Sequence, residues 1–184
     1  MRRAFSNCTP RSYLRVAAPS LTVSMTATIL DPKDGILVYT DGSASTKTRA
    51  GGWGFVALDS GDGLYENAGG EEDTTISRME LVAPIMALHM LHYELDAILT
   101  GKVEEVLVIS DSQYVVMGFM DPTRARNKNQ DLWTSLDVYA ALFTRVVFEH
   151  TPGHAGNVWN ERVDKAAVAA RKAVEAVSHK QRTT

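Results

Sequence analysis

The chain has 184 residues, 45% of them hydrophobic, which suits one ordinary domain with a full apolar core. A net charge of −3 argues against a protein that holds nucleic acid by bulk positive charge, so any such function needs local basic groups or bound cations. No uninterrupted apolar run reaches the ~20 residues of a membrane span, and the one cysteine, Cys8, excludes an internal disulfide and fits a reducing compartment.

Residues 1–27 stand apart. Arg2, Arg3, Arg11 and Arg15 occur there among Ser and Thr with no acid, and Pro10 and Pro19 break any helix. This reads as a disordered tail or an over-extended start with Met25 as the first residue; an organelle transit peptide has the same composition. The expected compartment is the cytoplasm, or the mitochondrion if the segment is a transit peptide. Beyond it, 15 basic residues (19 less these four) face 22 acids, so the folded part carries −7.

The run Gly35 to Ser43 organises the rest. Ile36-Leu37-Val38-Tyr39 is too short for a helix and reads as a buried strand that ends at Asp41 and turns at Gly42. Alone, an Asp-Gly pair is more often a turn cap than a metal ligand. A second strand follows over 51–58, alternating Trp53 and Phe55 with Gly54 and Val56, then a turn cluster at 59–63 and a third strand from Leu64, which makes an antiparallel meander. Thr74 to Leu99 is the clearest helix, with Leu81, Ile85, Leu88 and His92 on one stripe and Thr75 or Ser77 able to cap it. Glu80 shares a compact face with Ala83, Pro84 and Ala87. Pro84 removes the donor for the Glu80 carbonyl, a kink expected to cost ~3 kcal/mol in an ordinary helix interior.

Glu105 to Asp111 repeats the opening pattern: an apolar run, covered on both faces, that ends in an acid. A helix over 112–120, a basic loop over 121–128, a helix over 131–143, a strand over 145–150, a loop around His154 and a helix from Asn157 to about Val177 complete the domain, placed at 28–178 with 179–184 disordered. The order implies a single mixed sheet with helices on its faces. Asp41 and Asp111 then end core strands, while Glu80 and Asp164 lie in early helical turns. Gathered carboxylates repel and raise one another's pKa unless a divalent cation offsets them. Oxygen donors without a thiol or histidine cluster select Mg²⁺ or Mn²⁺, and two ions roughly 3.5–4 Å apart are the usual device for phosphodiester cleavage. A capping aspartate and a dipole-favoured helical glutamate are the bland alternatives for Asp41 and Glu80.

Five segments in order lift the reading above those alternatives: Tyr39-Thr40-Asp41-Gly42-Ser43, Arg78-Met79-Glu80-Leu81, Asp111-Ser112-Gln113-Tyr114-Val115, Asn129-Gln130-Asp131-Leu132-Trp133, and Gly153-His154-Ala155-Gly156 with Asn160-Glu161-Arg162-Val163-Asp164. With them the chain resembles ribonuclease H type 1, over roughly Gly35 to Ala170. The resemblance implies a ribonuclease H-like α/β fold, a five-stranded sheet of three antiparallel strands then two parallel, helices on both faces, and a monomer acting on RNA–DNA hybrids. By the same resemblance, Asp41, Glu80, Asp111 and Asp164 would hold two Mg²⁺ ions, with Mn²⁺ as a substitute, and the products would carry 3′-hydroxyl and 5′-phosphate ends. His154 would assist proton movement or product release. Gln113, Ser77 and the backbone near Gly42 and Ser43 would touch the RNA sugar, and Thr75 and Asn129 a DNA-strand phosphate. Two departures stand out: Ala44 to Arg49 replaces a glycine- and proline-rich loop, and the long basic protrusion shrinks to Arg124, Arg126 and Lys128, which are expected to meet substrate phosphates. His89 and His92, three residues apart on the long helix, suit packing or solvent, and His150 on a strand reads as structural. A binding module without catalysis, and a nuclease of the same superfamily acting on DNA, are the competing functions.

Overall fold

A computed structural model describes residues 35–59, 64–93, 105–153 and 155–182, without the side chains of Leu64, Arg124, Ala125, Gln181 and Arg182. Strands β1 (Gly35–Ala44), β2 (Gly51–Leu58), β3 (Leu64–Glu71), β4 (Glu105–Ser110) and β5 (Arg145–His150) form one sheet in the order β3-β2-β1-β4-β5. β1–β2 and β2–β3 pair antiparallel; β1–β4 and β4–β5 pair parallel. The meander followed by two parallel strands is the expected arrangement.

The parallel strands need crossovers, and helices supply them. Helix α1 (Ile76–Tyr93) connects β3 to β4, and α2 (Gln113–Met120), α3 (Pro122–Ala125) and α4 (Gln130–Ala140) connect β4 to β5. These lie over one face of the sheet, where Ile36, Val38, Trp53, Phe55, Val106 and Val108 meet Leu81, Leu88, Val115, Leu136 and their neighbours in the main core. Every residue from Leu81 to Leu88 is buried, because α1 is enclosed between the sheet and α4. α5 (Val158–Arg182) crosses β1, β2 and β3 on the other face, over a smaller cluster of Tyr39, Val56, Trp159 and Val163. Helices therefore cover both faces.

Four local expectations change. The chain does not turn at Gly42: β1 runs on to Ala44, with Asp41 opposite Gly54 and Ala44 opposite Gly51, so pairing with β2 overrides the Asp-Gly turn signal. The first helix runs from Ile76 to Tyr93 and continues through Pro84, while 94–104, where Leu95 and Leu99 were expected to extend its stripe, lie outside the described residues. The basic loop contains the short helix α3, capped by Asp121, whose Oδ1 accepts from the Thr123 amide at 3.2 Å, with Pro122 at the first position, where a missing N–H costs nothing. α5 extends past Val177 to Arg182, since no breaker intervenes and Ser178 joins it to Glu72 and to the Val174 carbonyl. Residues 1–34, with the whole basic N-terminal segment, lie outside the described residues.

Candidate active site

Because β1 and β4 are parallel with Thr40 opposite Ser110, the next residues, Asp41 within β1 and Asp111 just past the end of β4, stand on the same level. Alternation along the strands sends both away from the main core, to the face that α5 covers. Asp164 lies on α5, in its second turn. Glu80 reaches the same place from the opposite face, and Gly42 makes that possible: a Cβ added there would stand 2.3 Å from the Glu80 amide nitrogen, so only glycine lets α1 come so close to β1. Gly42 is thus needed for close approach, without a positive φ.

The acids feel one another. Burial, and then the charges of Asp111, Asp164 and Glu80, push the Asp41 carboxyl up to about 7, against a partial offset from the Gly42 amide, which donates to Asp41 Oδ1 at 2.7 Å. Burial and Asp111 likewise raise Glu80, against a hydrogen bond from Ser112. Asp111 is held by Asn160, whose Nδ2 donates to its Oδ2 at 3.2 Å, and its backbone carbonyl lies 3.2 Å from His150 Nε2, which must carry the proton because a carbonyl only accepts. Among the described residues, no three His, Cys, Asp or Glu side chains stand close enough to grip one ion as they are. Asp41, Glu80 and Asp111 are each tied to a protein donor. The donor chemistry nevertheless fits a hard divalent cation: carboxylate oxygens only, one of them driven toward neutrality by burial and then by its neighbours.

Four of the five buried polar side chains among the described residues are close to the acids in sequence or by a hydrogen bond: Thr40 and Ser110 precede the two aspartates, Ser112 follows Asp111, and Asn160 donates to it. Ser110 Oγ accepts from the Ser112 amide at 3.1 Å, and Ser112 caps α2. The buried serines, Asn160 and the His150 contact are features of the site that the sequence reading missed. Isolated serines and a strand histidine carry no pattern; the Asn160 position inside a matched segment was the one available signal.

The remaining expected site residues divide. Gln113 is exposed at the first turn of α2. Ser43 accepts a hydrogen bond from Arg171 Nε at 3.1 Å, a partner on α5 that was not anticipated, and Arg171 is itself paired with Glu175 at 2.8 Å. Thr75 and Ser77 lie at the start of α1, and Asn129 at the start of α4 in the left-handed conformation (φ 56°). A two-pronged pair, Arg78 to Asp131 at 3.2 and 2.8 Å, holds these helix starts side by side; the same hydrogen bond keeps Asp131 below the usual carboxylate range. The Tyr114 hydroxyl accepts from Asn129 Nδ2 at 3.3 Å and Trp133 Nε1 at 3.1 Å, so Asn129 is held in place by a residue the sequence reading had passed over. Arg126 departs from expectation. Its Nε donates to the Gly118 carbonyl at 2.8 Å, its Nη1 pairs with Asp137, and its guanidinium lies 4.5 Å over the Trp133 ring, leaving the side chain 12% exposed. It is committed to the fold rather than offered to a phosphate. Lys128 is exposed, and the side chain of Arg124 and the whole of His154 lie outside the described residues. The loop bearing His154 does pass the acids: a Cβ on Gly153 would stand 3.0 Å from Asp111 Oδ2. His89 and His92 are partly buried and pack against Tyr93, Tyr139 and Phe143, the packing alternative of the two expected for them.

A family model for RNase H matches residues 33–172. The chain is 37% identical over 152 residues to a ribonuclease H of Syntrophomonas wolfei, spanning 76% of this chain and 97% of that relative. It is 39% identical over 156 residues to a ribonuclease H of Aromatoleum aromaticum, spanning 78% and 93%.

The chain belongs to the ribonuclease H family.

Solved structures agree on the fold. LC11-RNase H1, determined in complex with an RNA/DNA hybrid, superposes with a TM-score of 0.63 at 25% identity, covering 76% of this chain and 98% of that one. The N-terminal RNase H domain of a Mycobacterium tuberculosis protein gives 0.63 at 21% identity, covering 78% and 98%, a likeness of fold alone. Within this ribonuclease H domain, no described helix is long and apolar enough to cross a membrane.

Proposed function

We propose that the protein hydrolyses the RNA strand of RNA–DNA hybrids with two divalent ions, Mg²⁺ or Mn²⁺, held by Asp41, Glu80, Asp111 and Asp164. The observation that carries this reading is the Asp41 carboxyl, raised to about 7 by burial and by the other three acids, in a chain of this family. Such a grouping destabilises a fold unless a cation offsets it. When bound, the ions would lower the pKa of the attacking water and offset charge on the leaving 3′ oxygen, and breaking that P–O bond would give 3′-hydroxyl and 5′-phosphate ends.

The rest falls to the chain's own residues. Ser112 and Asn160 hydrogen-bond Glu80 and Asp111, so that these carboxylates are oriented before an ion binds. Gln113 and Ser77, with the backbone near Gly42 and Ser43, would read the RNA 2′-hydroxyl, which is what separates RNA from DNA. Thr75 and Asn129 would take a phosphate of the DNA strand; the helix N-termini that Arg78 and Asp131 hold together favour an anion there. His154 would move the proton to or from the scissile site. The enzyme would act as a monomer, in the cytoplasm or, if 1–27 is a transit peptide, in the mitochondrion.

The test is cleavage of matched hybrid, duplex RNA and duplex DNA with Mg²⁺, with EDTA as control. Hybrid alone should be cut, only with metal, and only in its RNA strand. Cleavage of duplex DNA would move the protein to another branch of the superfamily, and binding of hybrid without any cleavage would make it a non-catalytic module.

A further inference from the structure

Asn160 is 3% exposed, and among the described residues its carboxamide is only half used: Nδ2 donates to Asp111 Oδ2 at 3.2 Å, while Oδ1 is buried with no partner there. Buried amides normally satisfy both ends, and an unmet acceptor lowers stability. An apolar side chain of similar size would avoid that loss. What only the amide provides is an N–H directed at Asp111.

Its place is fixed from behind. Asn157 caps α5, its Oδ1 accepting from the amides of Trp159 at 3.0 Å and Asn160 at 3.1 Å, and its carbonyl accepts from Glu161 at 3.0 Å. Asn160 therefore rides on a rigid first turn and cannot follow Asp111 if that side chain swings. His150 restrains the Asp111 backbone, and the Gly153 loop closes on Oδ2 from another side.

We propose that Asn160 is a positioning residue: by occupying Asp111 Oδ2 it sets the orientation of that carboxylate, and through it the affinity of the acidic cluster for a divalent cation. This rests on the reading of Asp111 as a metal ligand. Partners of metal-binding groups act in this way, and their removal typically costs 10- to 100-fold in affinity.

The experiment measures Mn²⁺ binding to the metal-stripped full chain, by the electron paramagnetic resonance signal of free Mn²⁺, for wild type, Asp111→Asn, Asn160→Ala, Asn160→Leu and the Asp111→Asn/Asn160→Ala double variant. Both Asn160 variants should bind Mn²⁺ about 10- to 100-fold more weakly, yet melt no lower than wild type without metal. Asn160→Ala should change nothing further once Asp111 is already Asn, because the two act as one unit. Hybrid cleavage by the Asn160 variants should fall at limiting Mn²⁺, return at saturating Mn²⁺, and show an unchanged KM for hybrid.

Wild-type Mn²⁺ affinity in both Asn160 variants would overturn the proposal, as would an undiminished effect in the Asp111→Asn background. Failure of both to fold would also overturn it, by making Asn160 a residue of the fold. Wild-type affinity in Asp111→Asn is a separate result: it would remove Asp111 from the metal site, and the proposal with it.

Discussion

The two ends of β1 obey opposite rules. Ile36 and Val38, at 4% and 0% exposure, lie in the main apolar core. Two residues further, Thr40 is as deeply buried but its hydroxyl has no partner among the described residues, and Asp41 faces three other acids. One strand thus runs from well-packed hydrocarbon into a place where polar groups are unmet and like charges are held together. The difference teaches where stability and function separate: the core makes the fold secure enough that the far end of the same strand can stay unfavourable until something compensates it.

Substitutions at the two ends should therefore fail in opposite ways. Asp111→Asn is expected to lower hybrid cleavage by orders of magnitude while leaving the metal-free protein as stable as wild type or more so, since it removes one member of a repelling group. Leu88→Ala, in a fully buried position of α1, should cost about 2–5 kcal/mol of stability and leave the activity of the folded fraction nearly intact. Denaturant melts and initial rates on the same preparations check both. Unchanged activity in Asp111→Asn would dissolve the distinction.

Protonation sharpens it. A carboxyl whose folded pKa is raised favours the fold most when protonated. The contribution of Asp41 is thus fully present below its ordinary value of 3.8 and is lost as pH rises through about 7. Metal-free protein should lose a few kcal/mol across that window, and Asp41→Asn should flatten the profile between these limits. A wild-type stability that is level from pH 4 to 8 would mean that the acids do not press on one another.

Smaller effects belong to the basic loop. Since Arg126 is locked between Gly118, Asp137 and Trp133, replacing it should destabilise α4, whereas Lys128→Ala should leave stability alone and lower the salt slope of hybrid binding by about one unit. An unchanged slope would leave Lys128 without a phosphate contact. Smallest of all, deleting residues 1–24 should scarcely alter cleavage, because the segment has no apolar period; loss of activity on truncation would make it a working part.

Legibility in the sequence followed the range of the interactions. β1 and β4 were readable because continuous apolar runs ending in acids are local patterns, and α1 because its apolar positions repeat over several turns. The extension of β1 past Gly42 was not, since Asp-Gly is a local turn signal and what overrides it is pairing with β2 and the approach of Glu80. Arg126 looked like a surface cation among others of its kind; its partners lie seven to eleven residues away on other helices and become visible only in three dimensions. Asn160 and His150 were passed over for the same reason: each matters through one contact to Asp111, 49 and 39 residues distant in sequence.

The central claim is that the four acids are a liability until a divalent ion joins them. Thermal melts of wild type and Asp41→Asn at pH 8, each with and without millimolar Mg²⁺, test it most directly. Without metal the variant should melt higher than wild type; with Mg²⁺ wild type should gain and the variant should not, which reverses their order. An equal gain in both proteins, or none in wild type, would contradict the account.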